Sequence, residues 1–313
     1  MEEHKIYLDQ LRNNNTFDLL SLYNSYLESE NESHSDNSPF ESLNNECKYY
    51  LPDEMKEFEV VHDKSTSYFH LNRQGLLSHW DNFLNLLNNI HSSFTFDFIG
   101  ISELFEIFEE KQVRLPGYHP LKFRTRDDND DNKRGVGLYI KDNIQFEVRK
   151  DLSVFIPHVI ETIFIEVEIP NKKNNIIGVI YRPNTQPRAS LDIFGTTLND
   201  LLDIIDREHK SAIIMGDLNI NLLNFRDHGK TNDHLDSVFA QGFIPTILKP
   251  TRVTPTSATL IDHIYTNNMT NSFTSGIVIN DVADHFGVFH IEETNTAKHP
   301  AKYIQNASIM KEI

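Results

Sequence analysis

Eight short apolar runs rich in Val, Ile, Phe and Tyr, interrupted by only three segments of helical periodicity, limit what this chain can fold into. The runs are YFHLN (68–72), FDFIGIS (96–102), GVGLYI (135–140), TIFIEVEI (162–169), NIIGVIY (175–181), SAIIMG (211–216), LIDHIYT (260–266) and FGVFHI (286–291). β-Branched and aromatic residues in runs of this length predict strands. After the first run, Leu76, Leu77, Trp80, Phe83, Leu84, Leu87 and Ile90 recur on one helical face, and further amphipathic helices are predicted at about 190–207 and 232–240. With so few helices, strands and helices do not alternate one for one, as a doubly wound sheet requires. The pattern predicts an α/β (α+β) arrangement of two packed sheets with helices outside.

Polar residues that carry chemistry gather where these runs stop. Glu103 follows FDFIGIS, and Asp217 and Asn219 follow AIIMG. Asp262 and His263 lie in TLIDHI, and Asp284 and His285 directly precede FGVFHI. Strand ends held by a rigid sheet are where reacting groups are placed accurately. A hard cation such as Mg²⁺ takes one or two carboxylates plus substrate phosphate, a role open to Glu103 with Asp284. Asp217 is placed to hold or deprotonate a water, with Asn219 fixing phosphate or water geometry. Paired with Asp262, His285 would be oriented and stabilised in its protonated form beside a phosphate. Each element has a plainer alternative: a solvated Glu, an Asp-x-Asn turn, a chance Asp-His. Only the ordered combination separates them. The acidic loop RDDNDDNKR (126–134) is no EF-hand, having Asn132 where Gly is needed and Leu138 where Glu is needed. It reads as a solvated loop.

The chain has 313 residues and a net charge of −17, which argues against simple phosphate neutralisation by bound cations of the protein. Its distribution weakens that objection. Residues 1–64 carry 15 acids against 5 bases, a net of −10, leaving −7 for the other 249 residues. The same segment contains the polar run ESENESHSDNS and reads as an acidic, partly disordered linker. Three regions follow from this: the linker over 1–64, a catalytic domain over 65–292 and a polar tail over 293–313. One cysteine, Cys47, excludes an internal disulfide framework and a multi-cysteine zinc site. No apolar stretch reaches membrane-spanning length and the N-terminus lacks signal-peptide character. A reduced, intracellular monomer is expected, without a membrane partner.

The phrases HLN, ISE, YRP, GDLN, LIDHI and ADHF, in that order, resemble the endonuclease/exonuclease/phosphatase superfamily, which includes DNase I, exonuclease III and apurinic/apyrimidinic endonucleases. Within it, YFHLNRQGLLSHWDNFLNLL, FDFIGISEL, RGVGLYI, GVIYRP, IMGDLNINLL, KPTRVT…SATLIDHIYTN and DHFGVFH look most like the endonuclease domain of non-LTR retrotransposons, over about residues 66–291. The resemblance implies a DNase I-like, four-layer αββα sandwich with the active site at one edge of the paired sheets. It implies Asn72 as the Asn that helps place the metal and the catalytic Asp, Glu103 as principal metal ligand and Tyr181 as the aromatic residue near the scissile phosphate. Asp217 and Asn219 match the water-activating and phosphate-orienting pair. Asp262 matches the carboxylate that orients the catalytic His285, with Asp284 beside it as a metal-proximal acid. Arg182 and Thr259 fall where DNA-backbone contacts are implied, although YRP reads equally as a strand ending. His263 is expected to pack locally.

The implied activity is Mg²⁺-dependent hydrolysis of DNA, with Mn²⁺ as an alternative ion, nicking one strand to leave a 3′-hydroxyl. In-line attack of an activated water leaves two roles open for His285: proton transfer or phosphate support. Such an enzyme works in the nucleus, although no Lys/Arg cluster resembling an import signal is present. Ala283 departs from the family's usual Ser before Asp-His. The elements themselves continue into a reverse transcriptase, for which the residues after 291 leave no room, as in a truncated copy or a nuclease part alone. Two other readings stand beside this one. A phosphoesterase of the same scaffold acting on RNA, inositol phosphates or a phospholipid is permitted by GDLN and DHF. A decayed remnant is suggested by Ala283 and the missing polymerase.

Overall fold

The computed structural model describes residues 47–91, 94–104, 109–123, 135–168, 173–184, 189–254, 256–269 and 271–293. The acidic run, the 126–134 loop and the tail beyond 293 lie outside the described residues. In chain order the strands are β1 (Lys48–Tyr50), β2 (Ser65–Asn72), β3 (Phe98–Ser102), β4 (Lys122–Phe123), β5 (Gly137–Ile140), β6 (Phe146–Val148), β7 (Phe155–Ile156) and β8 (Ile160–Val167). They continue as β9 (Asn175–Tyr181), β10 (Ala212–Asp217), β11 (Ile244–Pro245), β12 (Arg252–Thr254), β13 (Ser257–Thr259), β14 (Asp262–Thr266), β15 (Phe273–Val278) and β16 (Gly287–Glu293). Three α-helices are described: α1 (Trp80–His91), α2 (Ala189–Glu208) and α3 (Gly229–Ala240).

One mixed sheet runs β1-β15-β16-β2-β3-β5-β4, and a second runs β11-β14-β10-β9-β8-β6 with β7 also on β8. β12 and β13 form a separate hairpin. Alternation along β2 sorts the layers. Phe69 and Leu71 join Phe83, Leu86, Leu87 and Ile90 of α1 in one apolar cluster. Tyr68 faces the other way, into a cluster shared with Val179 of β9 and Met215 of β10. The sheets meet so closely that a Cβ on Gly100 would lie 2.8 Å from Val179 Cγ2. Phe194, Leu198, Leu202, Leu235 and Phe239 cover the far side of the second sheet from α2 and α3. The result is a four-layer αββα sandwich, with each fully buried aliphatic or aromatic side chain contributing about 1.5–3 kcal/mol.

All eight apolar runs form strands, and all three periodic segments form helices. Two boundaries differ from the sequence expectation. Helix α1 starts at Trp80 rather than near Leu76, because the chain first turns through Gly75 (φ 69°). There the Gly75 N–H donates to the Glu103 carbonyl oxygen at 3.1 Å. Upstream, the expected linker over 1–64 contains ordered sheet. β1 pairs in parallel with β15, Cys47 and Tyr49 are buried, and the Tyr49 hydroxyl donates to the Pro250 carbonyl at 2.9 Å. Only one apolar residue in that tripeptide is fully buried, too little alternation to read as a strand.

Candidate active site

Parallel pairing of β2 with β3 sets Asn72 opposite Ser102, and antiparallel pairing of β10 with β14 sets Asp217 opposite Asp262. These strand ends share one edge of the sandwich. Beyond β3, backbone bonds from Arg73 N–H to Ser102 O (3.2 Å) and from Gly75 N–H to Glu103 O extend the pairing, so Glu103 leaves the sheet in a held position. Glu103 has φ 60° and Asn219 φ 49°. A left-handed backbone is costly for Glu and tolerated by Asn. Before Asp217, Gly216 admits no side chain: a Cβ there would lie 1.7 Å from the Ile180 carbonyl oxygen.

Asp217 is 1 % exposed. It accepts from Asn72 Nδ2 at 2.7 Å, Asn219 N at 2.9 Å and Asn219 Nδ2 at 3.2 Å. The Asp-x-Asn sequence is therefore a turn and a site element at once. Glu103, half-buried, accepts at Oε1 from the Tyr181 hydroxyl at 2.7 Å. On the other side, His285 Nδ1 meets Asp262 Oδ2 at 2.8 Å, and that oxygen also accepts from Thr251 Oγ1 at 2.6 Å. Asp217, Asp262 and His285 have ligand-type atoms within 4.8 Å of one another.

Burial, then the neighbouring Asp262 carboxylate, pushes Asp217 up to about 8, against the pull of His285. Burial works to raise Asp262 too, but the charge and hydrogen bond of His285 outweigh it and hold Asp262 below the usual carboxylate range. For His285, burial is overcome by Asp262, and the imidazole rises to about 9. The pair is thus an imidazolium–carboxylate ion pair at neutral pH. Burial and Glu103 raise Tyr181 well above its ordinary value, so its phenol stays a donor.

The oxygen-rich donor set fits a hard divalent cation. Glu103 offers a second carboxylate oxygen and is an electrostatic neighbour of Asp217, while Asp262 Oδ1 is buried without a hydrogen bond. Asp262 and His285 spend Oδ2 and Nδ1 on each other, while Asp217, Asp262 Oδ1 and the second oxygen of Glu103 are the carboxylate donors left at this edge.

Two expected site residues are engaged in other contacts. Asp284, expected beside Glu103 on the metal, is exposed, and its Oδ2 accepts from Arg252 Nη2 at 2.7 Å and Nε at 3.0 Å. No described contact brings it to Glu103, whereas its neighbour His285 is buried against Asp262. Arg182, expected on the DNA backbone, is 6 % exposed. It donates to the carbonyls of Leu218 (Nε, 2.6 Å) and Asn219 (Nη2, 2.7 Å), bracing the turn from within. Thr259, on the β12–β13 hairpin, donates from Oγ1 to Arg252 O at 3.4 Å and accepts at its carbonyl from Thr251 N at 2.9 Å. His263 packs locally, with Nε2 3.0 Å from Ile220 O.

Sequence reasoning missed three residues. Thr251 lay inside the phrase KPTRVT without being singled out. Asn280 ties the loop that delivers His285: its Oδ1 accepts from Val282 N and Ala283 N, both at 3.2 Å, and its Nδ2 donates to His285 O at 3.3 Å. Residue 283 thus joins this support through its backbone, with no hydroxyl needed. His70, two residues before Asn72 on the same strand face, was the third; spacing alone was the available signal.

Two face-to-face mixed sheets presenting buried acids, an amide and an Asp–His pair at one edge define a hydrolase scaffold built for phosphoesters. The chain belongs to the Endonuclease/Exonuclease/phosphatase family, whose model matches residues 74–285, more than half of its length. A search of curated protein sequences finds no significant match. Among solved structures, an AP endonuclease, LMAP, from Leishmania major superposes with a TM-score of 0.60 at 11 % identity, covering 85 % of this chain and 97 % of that one. The human Nocturnin catalytic domain with bound sulfate gives 0.55 at 14 %, covering 74 % and 94 %. The endonuclease domain of TRAS1, a telomere-specific non-LTR retrotransposon, gives 0.51 at 11 %, covering 74 % and 99 %. At these identities the likeness is one of fold. No helix among the described residues is long and apolar enough to cross a membrane.

Proposed function

We propose that this hydrolase is a Mg²⁺-dependent DNA endonuclease of non-LTR retrotransposon type, nicking one strand to leave a 3′-hydroxyl. The observation that carries the chemistry is the buried Asp262–His285 ion pair beside an Asp217 clamped by Asn72. The retroelement branch is supported by the ordered phrases GVIYRP, KPTRVT and LIDHIYTN, and a TRAS1 endonuclease domain stands among the solved structures of this fold.

Glu103 would hold the cation, and Tyr181 Oη–H fixes the rotamer of the carboxylate. Mg²⁺, when bound, supplies positive charge against the phosphate and the leaving oxygen. A cation there would favour the ionised form of Asp217. In its ionised form Asp217 accepts a proton from the attacking water as the P–O3′ bond breaks, the leaving 3′-oxygen takes a proton from solvent, and Asn72 and Asn219 fix the carboxylate plane. His285, protonated and pinned at Nδ1, presents Nε2–H to the developing phosphate charge. The ion pair favours phosphate support over base catalysis among the two roles open to it. Arg182 positions the Asp217–Asn219 turn.

Supercoiled-plasmid nicking with Mg²⁺, an EDTA control and Glu103→Ala tests the reading. Open circles formed only with Mg²⁺ and lost in the variant are expected. A folded wild-type protein that leaves plasmid intact would overturn it and advance the RNA or lipid phosphoesters as substrates.

A further inference from the structure

His70 lies beneath the active-site edge with no exposed surface. Its Nε2 meets Ser102 Oγ at 2.8 Å, on the residue directly before Glu103. Its Nδ1 faces Asp262 Oδ1 at 4.0 Å, about 1 Å beyond an N–H···O hydrogen bond. Both facing atoms are buried without any other hydrogen-bond partner. Two buried polar atoms left unpaired across such a gap are costly apart and complementary together. Complementarity depends on the tautomer. With the proton on Nδ1, Ser102 donates to Nε2 and a donor points at the carboxylate. With it on Nε2, a lone pair points at the carboxylate instead.

Burial keeps the ring neutral, so its value to Asp262 is that of a fixed dipole. The carboxylate already has Thr251 and His285 on Oδ2. A donor closing on Oδ1 would complete a three-sided grip on Asp262 and, through it, on His285. The Ser102 bond links the same ring to the strand end that sets Glu103.

We propose that His70 is a positioning residue, held as the Nδ1–H tautomer by Ser102 and steering Asp262 so that His285 keeps its catalytic orientation. The inference rests on the reading of Asp262 and His285 as the reacting pair.

Two measurements on the full chain test it. Long-range ¹H–¹⁵N NMR of the wild-type protein reads the tautomer of the ring whose signals vanish in His70→Asn. Nδ1–H is expected; Nε2–H overturns the proposal. Plasmid nicking by His70→Leu is expected to lose about tenfold or more in kcat, with KM within about twofold. His70→Asn, whose amide reaches the place of Nδ1, is expected to recover most of the loss. A Leu variant at the wild-type rate, or an Asn variant as slow as Leu, also overturns it. Should His70→Leu fail to fold, the tautomer decides. Absence of wild-type nicking sinks the endonuclease reading alone, because the tautomer is read without substrate.

Discussion

Asp262 does one task that size and polarity do not replace: it charges and orients His285. Asp262→Asn keeps the shape and removes the charge, so kcat for nicking is expected to fall about 10²–10⁴-fold with the circular dichroism unchanged. A loss under threefold would remove the ion pair from the mechanism. Tyr181→Phe deletes only the hydroxyl that donates to Glu103 Oε1. Its effect belongs in the Mg²⁺ titration, where half-saturation should rise about tenfold or more, and an unchanged curve would dissociate Tyr181 from the metal position. Asp217 and His285 also set a pH dependence of stability. Asp217 is raised from its ordinary value near 3.8 to about 8, so the folded state binds more protons than the unfolded state between them, and stability falls across that window. The His285 contribution is full below its ordinary value of 6.5 and is lost as pH rises through about 9. Both have the same sign. In EDTA the melting temperature should fall from pH 6 to 9, and less steeply for Asp217→Asn, an inactive variant expected to melt higher than wild type at pH 8. A lower melting point for that variant would refute the electrostatic account.

At the scale of elements, the clearest test is the crossing of β9 and the end of β10. Gly216→Ala places a methyl group into the Ile180 carbonyl, so either β10 withdraws from β9 or the Asp217 turn shifts. A destabilisation of about 1–3 kcal/mol in urea is expected, and unchanged stability with full activity would show that this strand pair yields. Elements were also where the sequence was most legible. NIIGVIY and SAIIMG are long enough, apolar enough and bounded sharply enough to be strands in any setting, and Glu103, Asp217 and His285 stood out because they terminate such runs. β1 was illegible because KYY takes its identity from β15, more than 200 residues away. Asp284 and His285 were adjacent acid and base in the sequence, and nothing in their order told which faces inward; the pairing of Asp284 with Arg252 depends on the register of the loop against β12. His70 shares its strand face with Asn72, but its meaning comes from Asp262, carried by the other sheet.

The whole molecule closes its first sheet with strands from both ends of the described chain. β2 lies between β3 and β16, and β1 lies on β15. A fragment beginning at residue 65 loses β1 and the Tyr49–Pro250 bond beside Thr251, and it bares the edge of β15. It should melt well below one beginning at residue 47 and aggregate more readily; equal melting points would show that the sheet is complete without β1. The same closure bears on synthesis. A central strand made early waits for β16, so during translation β2 stands half-paired until residues 287–293 have left the ribosome. His285 lies directly before that strand. The edge that carries Asn72 and Asp217 therefore gains His285 only after the chain has been made through β16, so it cannot close on a nascent chain shorter than that.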